Sequence, residues 1–165
     1  MVTNKDLQIN LVSRKYPKNI QDLIKRFRRP YPTDIEYIRR LDKEYDIIRD
    51  KGFVDTFQRV SDIIDLIKQK NIPHVLRGSA ASSLVCYQLG ISDIDPIKEK
   101  IPLTRFMNLC RDTQPDVDLD VPHWIRDLLI EEFHEKHPNK VARISNKVMY
   151  KPCLLYTSPS PRDFV

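Results

Sequence analysis

Three aspartates alternate with aliphatic residues in the stretch Pro115-Asp-Val-Asp-Leu-Asp120. In an extended strand successive side chains point to opposite faces, so the three aspartates share one face and the aliphatic residues share the other. Like charges at alternate positions repel one another, and strands are depleted in aspartate, so folding alone does not favour this pattern. Carboxylate oxygens are the usual ligands of hard cations such as Mg²⁺. The pattern indicates a metal-binding strand face, or alternatively a solvated loop or edge strand.

A second stretch begins at Arg77, where a short apolar run over 73–76 gives way to small residues and then to a helical pattern. This order predicts a strand, a tight turn and the start of a helix. Gly78 lets the backbone approach a ligand closely, and Ser79 can cap the new helix. Backbone amides at a helix N-terminus, with Arg77 beside them, form a site for an anion such as phosphate. Gly-Ser turns before helices are also common where no ligand binds.

The elements that position these stretches are predicted from apolar periodicity. Thr33 or Asp34 can cap an amphipathic helix that Gly52 ends, and a second amphipathic helix extends from Phe53 to about residue 70. We expect these two helices to pack against each other as scaffold. One more helix, starting near Pro122 and carrying an apolar face, and a short strand over 140–144 complete the pattern.

The composition is that of a globular chain. With 165 residues, 41% of them hydrophobic and 31% charged, the sequence suits one modest domain or a piece of a larger one. No apolar run reaches the roughly 18 residues of a membrane span, and there is no signal peptide, so we expect a cytoplasmic location with no membrane partner. Three cysteines without a CxxC pair predict neither a disulfide framework nor a zinc site.

Positive charge is concentrated near the N-terminus. The chain has a net charge of +5, and residues 1–33 contain eight Lys or Arg residues against two aspartates. The densest cluster consists of four residues: Lys25, Arg26, Arg28 and Arg29. Such a cluster can contact the phosphates of a nucleic acid, although a solvated basic face explains it equally well.

Taken together, the two chemical stretches resemble a known arrangement. Their arrangement resembles the palm of polymerase-beta-like nucleotidyltransferases. That palm has a strand, then an Arg-Gly-Ser-Ala-Ala type of turn, and later an Asp-x-Asp strand. The closer resemblance is to the alpha subunits of bacterial DNA polymerase III, the C-family replicative polymerases. Residues 77–96, 105–108 and 115–120 are similar to blocks of that family in their order and approximate spacing. A looser resemblance extends from Tyr37 to Ile144.

The resemblance implies a fold, a function and partners. The implied fold is α/β (α+β), with a basic connector (1–33), a helical segment (34–71) and a partial nucleotidyltransferase palm (72–152). The implied function is template-directed DNA synthesis during replication. Its partners would be primer-template DNA, a deoxynucleoside triphosphate (dNTP) and other replisome subunits, and its cofactor would be Mg²⁺, with two ions in the intact enzyme.

The resemblance also implies residue roles. It makes Asp116 and Asp118 the catalytic, metal-binding carboxylates, and it matches Asp120 to a third acidic position on the same strand. The residues implied to surround the dNTP are Arg77, Gly78, Ser79 and Arg105. The implied chemistry is attack by a primer 3′-hydroxyl on the alpha-phosphate of the dNTP, assisted by two metal ions.

Some features depart from the family pattern. Ser82 stands where the family usually has glycine, Leu76 precedes the Arg-Gly-Ser sequence in place of glycine, and Val121 replaces an aromatic residue. These differences suggest a divergent relative, such as a phage version. Because the third catalytic aspartate of the family would lie beyond residue 152, we expect the chain to be a fragment that is inactive alone.

The last residues predict an artefact. Residues 153–163 read as the translation of a transposon-end sequencing adapter, so we expect residues 153–165 to come from a broken reading frame in environmental or shotgun sequence. A Pro/Ser-rich disordered tail is the alternative.

Two other functions stay open at this point. One is a non-enzymatic module that binds nucleic acid through the basic residues within 14–29. The other is a small nucleotidyltransferase with a different acceptor, which requires a third carboxylate within this chain. Replacing Asp116 and Asp118 by asparagine separates the first from a polymerase fragment, because only metal-dependent nucleotide binding needs those carboxylates.

Overall fold

The computed structural model describes residues 16–110 and 113–142, which fall into one unit ending at His123 and another starting at Trp124. The described helices and strands are α1 (Lys18–Lys25), α2 (Ile35–Asp50), α3 (Val54–Gln69), β1 (Val75–Arg77), α4 (Leu84–Gln88), β2 (Asp118–Asp120) and α5 (Arg126–Lys136). Short 3-10 turns lie at Gly78–Ser82, Leu103–Arg105 and His123–Ile125. The fold is therefore mixed α+β. None of the described helices combines the length and apolar character that crossing a bilayer requires.

Helix α2 begins and ends as its sequence predicts. The Asp34 side chain accepts a hydrogen bond from the Glu36 backbone amide at 2.8 Å, which caps the first turn. Beyond the last turn, Gly52 has a φ of +69°, a left-handed conformation that favours glycine. The predicted apolar face is buried, with Leu41 and Ile48 fully enclosed in the core.

Helices α2 and α3 contribute to one core, but each has its most extensive contact with another helix. Helix α2 packs chiefly on α4, and α3 packs chiefly on α1. Ile20, Leu23 and Ile24 of α1 are buried in the same core as Ile64 of α3. The apolar side chains of α1 therefore cover α3, and α4 covers α2. The apolar periodicity of α2 and α3 was predicted correctly, but periodicity does not identify which element covers each face.

The two strands form an antiparallel pair in which Leu76 lies opposite Leu119 and Arg77 lies opposite Asp118. Leu76 and Leu119 pack against the core, whereas the residues on either side of each are exposed. The predicted alternation of buried and exposed positions along the aspartate strand is therefore confirmed. Strand β1 lies slightly later in the chain than the apolar run over 73–76 suggested.

In the second unit, α5 begins later than predicted. Residues 123–125 form a 3-10 turn, and the α-helix starts at Arg126. Trp124, which the sequence placed on this helix, belongs to the turn instead and is 83% exposed. Residues 140–142 are not in a strand, and the rest of the strand predicted over 140–144 lies outside the described residues.

The thiol of Cys86 gives a test of core packing. Cys86 is fully buried on α4, and this burial raises the pKa of its thiol to about 12. The test uses a variant in which the other two cysteines are replaced by serine. At pH 8 we expect the Cys86 thiol to react with a disulfide reagent at least about 100-fold more slowly in the native chain than in urea. The reaction is slow because the core must open before the reactive thiolate forms.

The matched variant that retains only Cys110, which is exposed, controls for reagent access. Its thiol should react rapidly with and without urea. Equal rates for Cys86 in the native and unfolded chains would contradict the packing described for α4.

Candidate functional site

The two stretches with predicted chemistry meet at the end of the sheet. Strand β1 ends at Arg77, which pairs with Asp118 of β2, and the next residue starts the 3-10 turn. Gly78 has a φ of +82°, and a Cβ atom placed on it would lie 3.2 Å from Oδ2 of Asp118. The close approach leaves little room for a side chain at position 78. The Arg-Gly-Ser turn and the aspartate strand are therefore direct neighbours, although they are about forty residues apart in sequence.

The exposed face of the sheet carries both signs of charge. Because Arg77 lies opposite Asp118 in the antiparallel register, their side chains share a face, and this face also includes Asp120. The Arg77 Nε atom forms an ion pair with Asp120 Oδ2 at 3.2 Å, with 66% and 57% of the two side chains exposed. Asp116 precedes the strand and is exposed, while Val117 packs against the core. The three aspartates therefore follow the predicted alternation.

The prediction that Ser79 caps the helix is wrong. Residues 78–82 form a separate 3-10 turn, and α4 starts at Leu84 with Ser83 as its N-cap. The Ser83 hydroxyl accepts a hydrogen bond from the Cys86 amide at 3.1 Å. Ser79 instead contributes its carbonyl, which accepts a hydrogen bond from the Ser82 hydroxyl at 2.7 Å. The 3-10 turn displaces the helix start by several residues from the Gly-Ser pair.

A buried carboxylate from α2 occupies the start of α4. Glu44 is completely buried and accepts hydrogen bonds from the backbone amides of Leu84 and Val85 at 2.8 and 3.0 Å. The Ser83 hydroxyl donates to the same carboxylate at 2.7 Å. A negative charge at a helix N-terminus is favourable because the first amides have no partner within the helix. These amides are therefore satisfied by Glu44, which corrects the prediction that they are open to an external anion.

Arg40 links this buried carboxylate to the turn. Its Nε atom is 2.9 Å from Glu44 Oε1, and its Nη2 atom donates to the Ser82 carbonyl at 2.7 Å and to the Ile101 carbonyl at 3.2 Å. Helix α2 thus holds the end of the 3-10 turn through charged hydrogen bonds. The first residues of the turn, beside Arg77, remain the candidate position for an anion.

Sequence reasoning missed Glu44 as a supporting residue. A signal was present: Glu44 follows the buried Leu41 by three residues and precedes the buried Ile48 by four, so it lies on the apolar face of α2. Arg40 is four residues earlier, at the spacing of a helical ion pair. A charged pair on an apolar helix face predicts a buried polar partner elsewhere in the fold.

The predicted dNTP residue Arg105 is exposed and ends the 3-10 turn at Leu103–Arg105. This turn contacts the Gly78–Ser82 turn. The buried residues Phe106 and Met107, which follow directly, anchor it in the core. The fold therefore brings the segment carrying Arg105 beside the segment carrying Arg77.

The carboxylates fit a cation that is shared with a ligand. Among the residues described, no group of three His, Cys, Asp or Glu side chains has the arrangement of a metal site. Asp118 lies against the turn at Gly78, and Asp116 is exposed two residues earlier, so each offers hard oxygen ligands. Mg²⁺ is commonly bound by one or two carboxylates together with substrate phosphates and water. The donor set thus suits Mg²⁺ held jointly with a phosphorylated ligand.

The basic cluster predicted to bind nucleic acid is paired with acidic residues. Each of its four side chains contacts an aspartate, and the pairs are Lys25–Asp22 (2.9 Å), Arg26–Asp62 (2.5 Å), Arg28–Asp65 and Arg29–Asp93 (3.0 Å). Two of these aspartates belong to α3, so part of the cluster holds α1 against α3. The guanidinium of Arg29 also lies 3.9 Å from the ring centre of Tyr87, a cation–π contact. Nucleic-acid binding by this cluster stays a prediction.

Comparison with known proteins places these features in a family context. Residues 10–152 match the model of the bacterial DNA polymerase III alpha NTPase domain. The chain is 46% identical to the DNA polymerase III subunit alpha of Ureaplasma parvum over 106 residues, or 62% of this chain and 11% of the relative. It is 38% identical to that of Thermotoga maritima over 128 residues, or 77% and 15%.

Relatives include a second kind of polymerase. The chain is 37% identical over 114 residues to a Cutibacterium acnes protein named error-prone DNA polymerase, covering 68% of this chain and 10% of that protein. In these three comparisons the chain spans between 10% and 15% of the relative.

Proposed function

This chain belongs to the family of the bacterial DNA polymerase III alpha NTPase domain, and from this membership we propose that it carries part of a dNTP-binding centre. In this proposal Arg77, Gly78 and Ser79 contact the triphosphate. Asp116 and Asp118 hold Mg²⁺ beside it. Arg105 lies on a neighbouring turn and adds positive charge near the nucleotide.

The observation that carries the proposal is the contact between Gly78 and Asp118. Oδ2 of Asp118 lies 3.2 Å from the position that a Cβ atom on Gly78 would take. In this proposal the backbone of Gly78 also approaches a phosphate, so the carboxylate and the phosphate would be close neighbours. Two anionic groups at this spacing repel each other unless a cation lies between them. A divalent cation bound by both a carboxylate and a phosphate removes this repulsion. The geometry therefore supports a metal-dependent phosphate site more directly than a simple anion site.

The chain's residues would position the reacting groups. The turn would fix the triphosphate through close backbone contacts, and Arg77 would contribute charged hydrogen bonds to it. Asp116 and Asp118 would present carboxylate oxygens that could hold the metal ion beside the triphosphate. Bound Mg²⁺ supplies Lewis-acid stabilisation of the charge that develops during nucleotidyl transfer. Glu44 and Arg40 act behind the turn by holding Ser82 and the start of α4 in place.

We propose DNA synthesis for a longer protein that, like the relatives, contains this segment as one part. Its substrates are primer-template DNA and dNTPs, and other replisome subunits are its partners. In that protein the sheet described here forms part of a nucleotidyltransferase palm. The centre formed by Arg77–Ser79 and the aspartate strand would then be one part of a two-metal catalytic site.

The experiment that tests this proposal is an equilibrium titration of the full chain with a fluorescent dATP analogue, in Mg²⁺ and in EDTA. We expect binding that requires Mg²⁺. In the Gly78→Ala variant we expect the affinity to fall at least about tenfold, because the new methyl group pushes against Asp118 and the left-handed backbone is strained.

Gly52→Ala is the matched control. Gly52 also has a left-handed φ, of +69°, but a Cβ atom there would meet nothing within 4 Å. Both substitutions introduce similar backbone strain, costing about 1 kcal/mol of folding stability, whereas only Gly78→Ala alters the site. Nucleotide binding that is independent of Mg²⁺, or that is equally affected by both variants, would argue against the proposed centre.

A further inference from the structure

We propose that a groove beside α2 binds a single strand of nucleic acid, with Arg39 and Lys43 on the phosphates of that strand. The groove has a volume of about 690 Å³ and lies between α2 and the segment 97–104. It is a different surface from the dNTP centre and from the basic cluster near the N-terminus. The choice of a nucleic-acid strand as occupant rests on the proposed function, whereas the binding test below needs no dNTP.

The groove contains two cations that are available to an anion. Arg39 and Lys43 are exposed, and within the described part of the chain neither is paired with an acidic side chain. They are four residues apart, so they lie on one face of α2 and about 6 Å apart along its axis. This distance is comparable with the separation of successive phosphates along one strand. The pair therefore matches the repeat of a nucleic-acid backbone.

The other charges nearby are already balanced or lie apart. Each side chain of the basic cluster contacts an aspartate, so binding a phosphate there requires breaking an ion pair. Arg40 also lines the groove, but Glu44 and two backbone carbonyls hold it. Glu36, the acidic residue among those lining the groove, lies in the first turn of α2, two turns before Lys43. Arg39 and Lys43 are therefore the charges that a strand can use.

The remaining wall of the groove is mainly apolar. It is formed by four apolar residues and one threonine: Ile35, Ile97, Pro102, Leu103 and Thr104. Ile35 is 64% exposed, so a large apolar side chain is left in contact with water. The sugars and base faces of a strand are partly apolar and can cover this wall while the phosphates face the cations. A duplex is too wide to enter between one helix and one short segment, so the groove suits a single strand, as positively charged grooves that follow a backbone do.

The groove is continuous with the proposed dNTP centre. The turn Leu103–Arg105 contributes to the groove wall and also contacts the turn Gly78–Ser82. Arg40 holds these parts together, because its guanidinium donates to the carbonyls of Ser82 and Ile101 at 2.7 and 3.2 Å. A strand that passes the dNTP centre can therefore continue into the groove along one surface.

The test is a fluorescence anisotropy titration of the full chain with a labelled oligothymidylate of about 15 nucleotides, in EDTA and at several salt concentrations. For Arg39→Gln/Lys43→Gln we expect the affinity to fall at least about tenfold. We also expect the slope of log affinity against log salt to decrease by about 1.4, because each phosphate contact on a single strand contributes about 0.7. Both side chains are exposed, so the variant should remain folded.

Matched variants separate the groove from a general effect of charge. Arg39→Gln should lower the affinity about fivefold, the effect of one phosphate contact. Arg59→Gln removes the same charge from an exposed position on α3 and should change the affinity less than about twofold. Thr104→Glu places a negative charge on the wall opposite α2 and should also lower the affinity about fivefold. Equal losses for Arg39→Gln and Arg59→Gln would overturn the groove as the binding surface.

Other outcomes assign the strand or the groove differently. If the loss occurs in Lys25→Gln/Arg26→Gln and not in Arg39→Gln/Lys43→Gln, the strand binds the basic cluster and the proposal is wrong. If polyglutamate displaces the oligothymidylate at an equal concentration of charge, the groove accepts any acidic chain, and the assignment to a nucleic acid is wrong. No binding of the oligothymidylate at low salt would also overturn the proposal.

Failure of this proposal is distinguishable from failure of the proposed function. In the titration with the fluorescent dATP analogue and Mg²⁺, Arg39→Gln/Lys43→Gln should bind as the wild type does. If the chain binds the dATP analogue but the substitutions leave oligothymidylate affinity unchanged, the groove is wrong and the dNTP centre stands. If the substitutions weaken oligothymidylate binding as expected but no dATP analogue binds, the groove stands and the dNTP centre is wrong.

Discussion

Glu44→Ala is expected to destabilise the chain by about 3–5 kcal/mol, the range observed when one partner of a buried ion pair is removed. The substitution leaves the amides of Leu84 and Val85 and the hydroxyl of Ser83 without their acceptor inside the core. It also leaves the Arg40 guanidinium, whose side chain is only 15% exposed, without its carboxylate. Urea denaturation followed by circular dichroism measures the loss.

Two variants on the same helix serve as comparisons. Glu44→Gln keeps the volume but places an amide NH₂ near groups that are all donors, so we expect an intermediate loss of stability. Glu36→Ala removes an exposed carboxylate and should leave the denaturation curve almost unchanged. If the Glu44→Ala chain is as stable as the wild type, the role given to this carboxylate is wrong. If the Glu44→Ala chain is too unstable to purify, the stability of Glu44→Gln decides the question.

The double variant Asp116→Asn/Asp118→Asn is expected to lose Mg²⁺-dependent dATP binding by at least about 100-fold. Asparagine keeps the size of each side chain but removes the charge that attracts a hard cation. Its thermal stability should stay close to that of the wild type, because both carboxylates are exposed. A loss of binding without a loss of stability separates a functional role from a structural one.

Asp55→Asn, at an exposed position on α3, is the control for the change in charge. It should leave dATP binding unaffected. Binding of DNA to the double variant provides a further distinction, because a module that binds nucleic acid through the basic residues within 14–29 would retain or increase its DNA affinity. Retention of Mg²⁺-dependent dATP binding by the double variant would place the metal elsewhere in the chain.

The sequence predicted those features that depend on local pattern. The alternation of Asp118, Leu119 and Asp120 gave the correct exposed and buried faces, because side-chain direction in a strand follows directly from position. The helix cap, which is Asp34 of the two candidates Thr33 and Asp34, and the Gly52 stop were predicted for the same reason, since each depends on a few neighbouring residues. The two motifs at Arg77 and Asp116 were predicted to form one site only through their resemblance to a family.

Features that depend on contacts distant in sequence were not predictable in this way. Nothing in the local sequence indicates that Arg77 pairs with Asp118 in register, or that α4 covers α2. The start of α4 was placed too early because a Gly-Ser pair looks like a helix start, whereas the fold places a 3-10 turn there. The basic cluster looked available for phosphate, but three of its four acidic partners, Asp62, Asp65 and Asp93, are supplied by other parts of the chain.

Paramagnetic broadening by Mn²⁺ in an ¹⁵N-labelled sample of the full chain tests the central claim most directly. In the presence of dATP, substoichiometric Mn²⁺ should broaden the amide signals of Gly78 and Asp118 together, since one metal ion would lie between the turn and the aspartate strand. Broadening centred on another acidic segment, such as residues 131–135, with the Gly78 and Asp118 signals unchanged, would contradict the account.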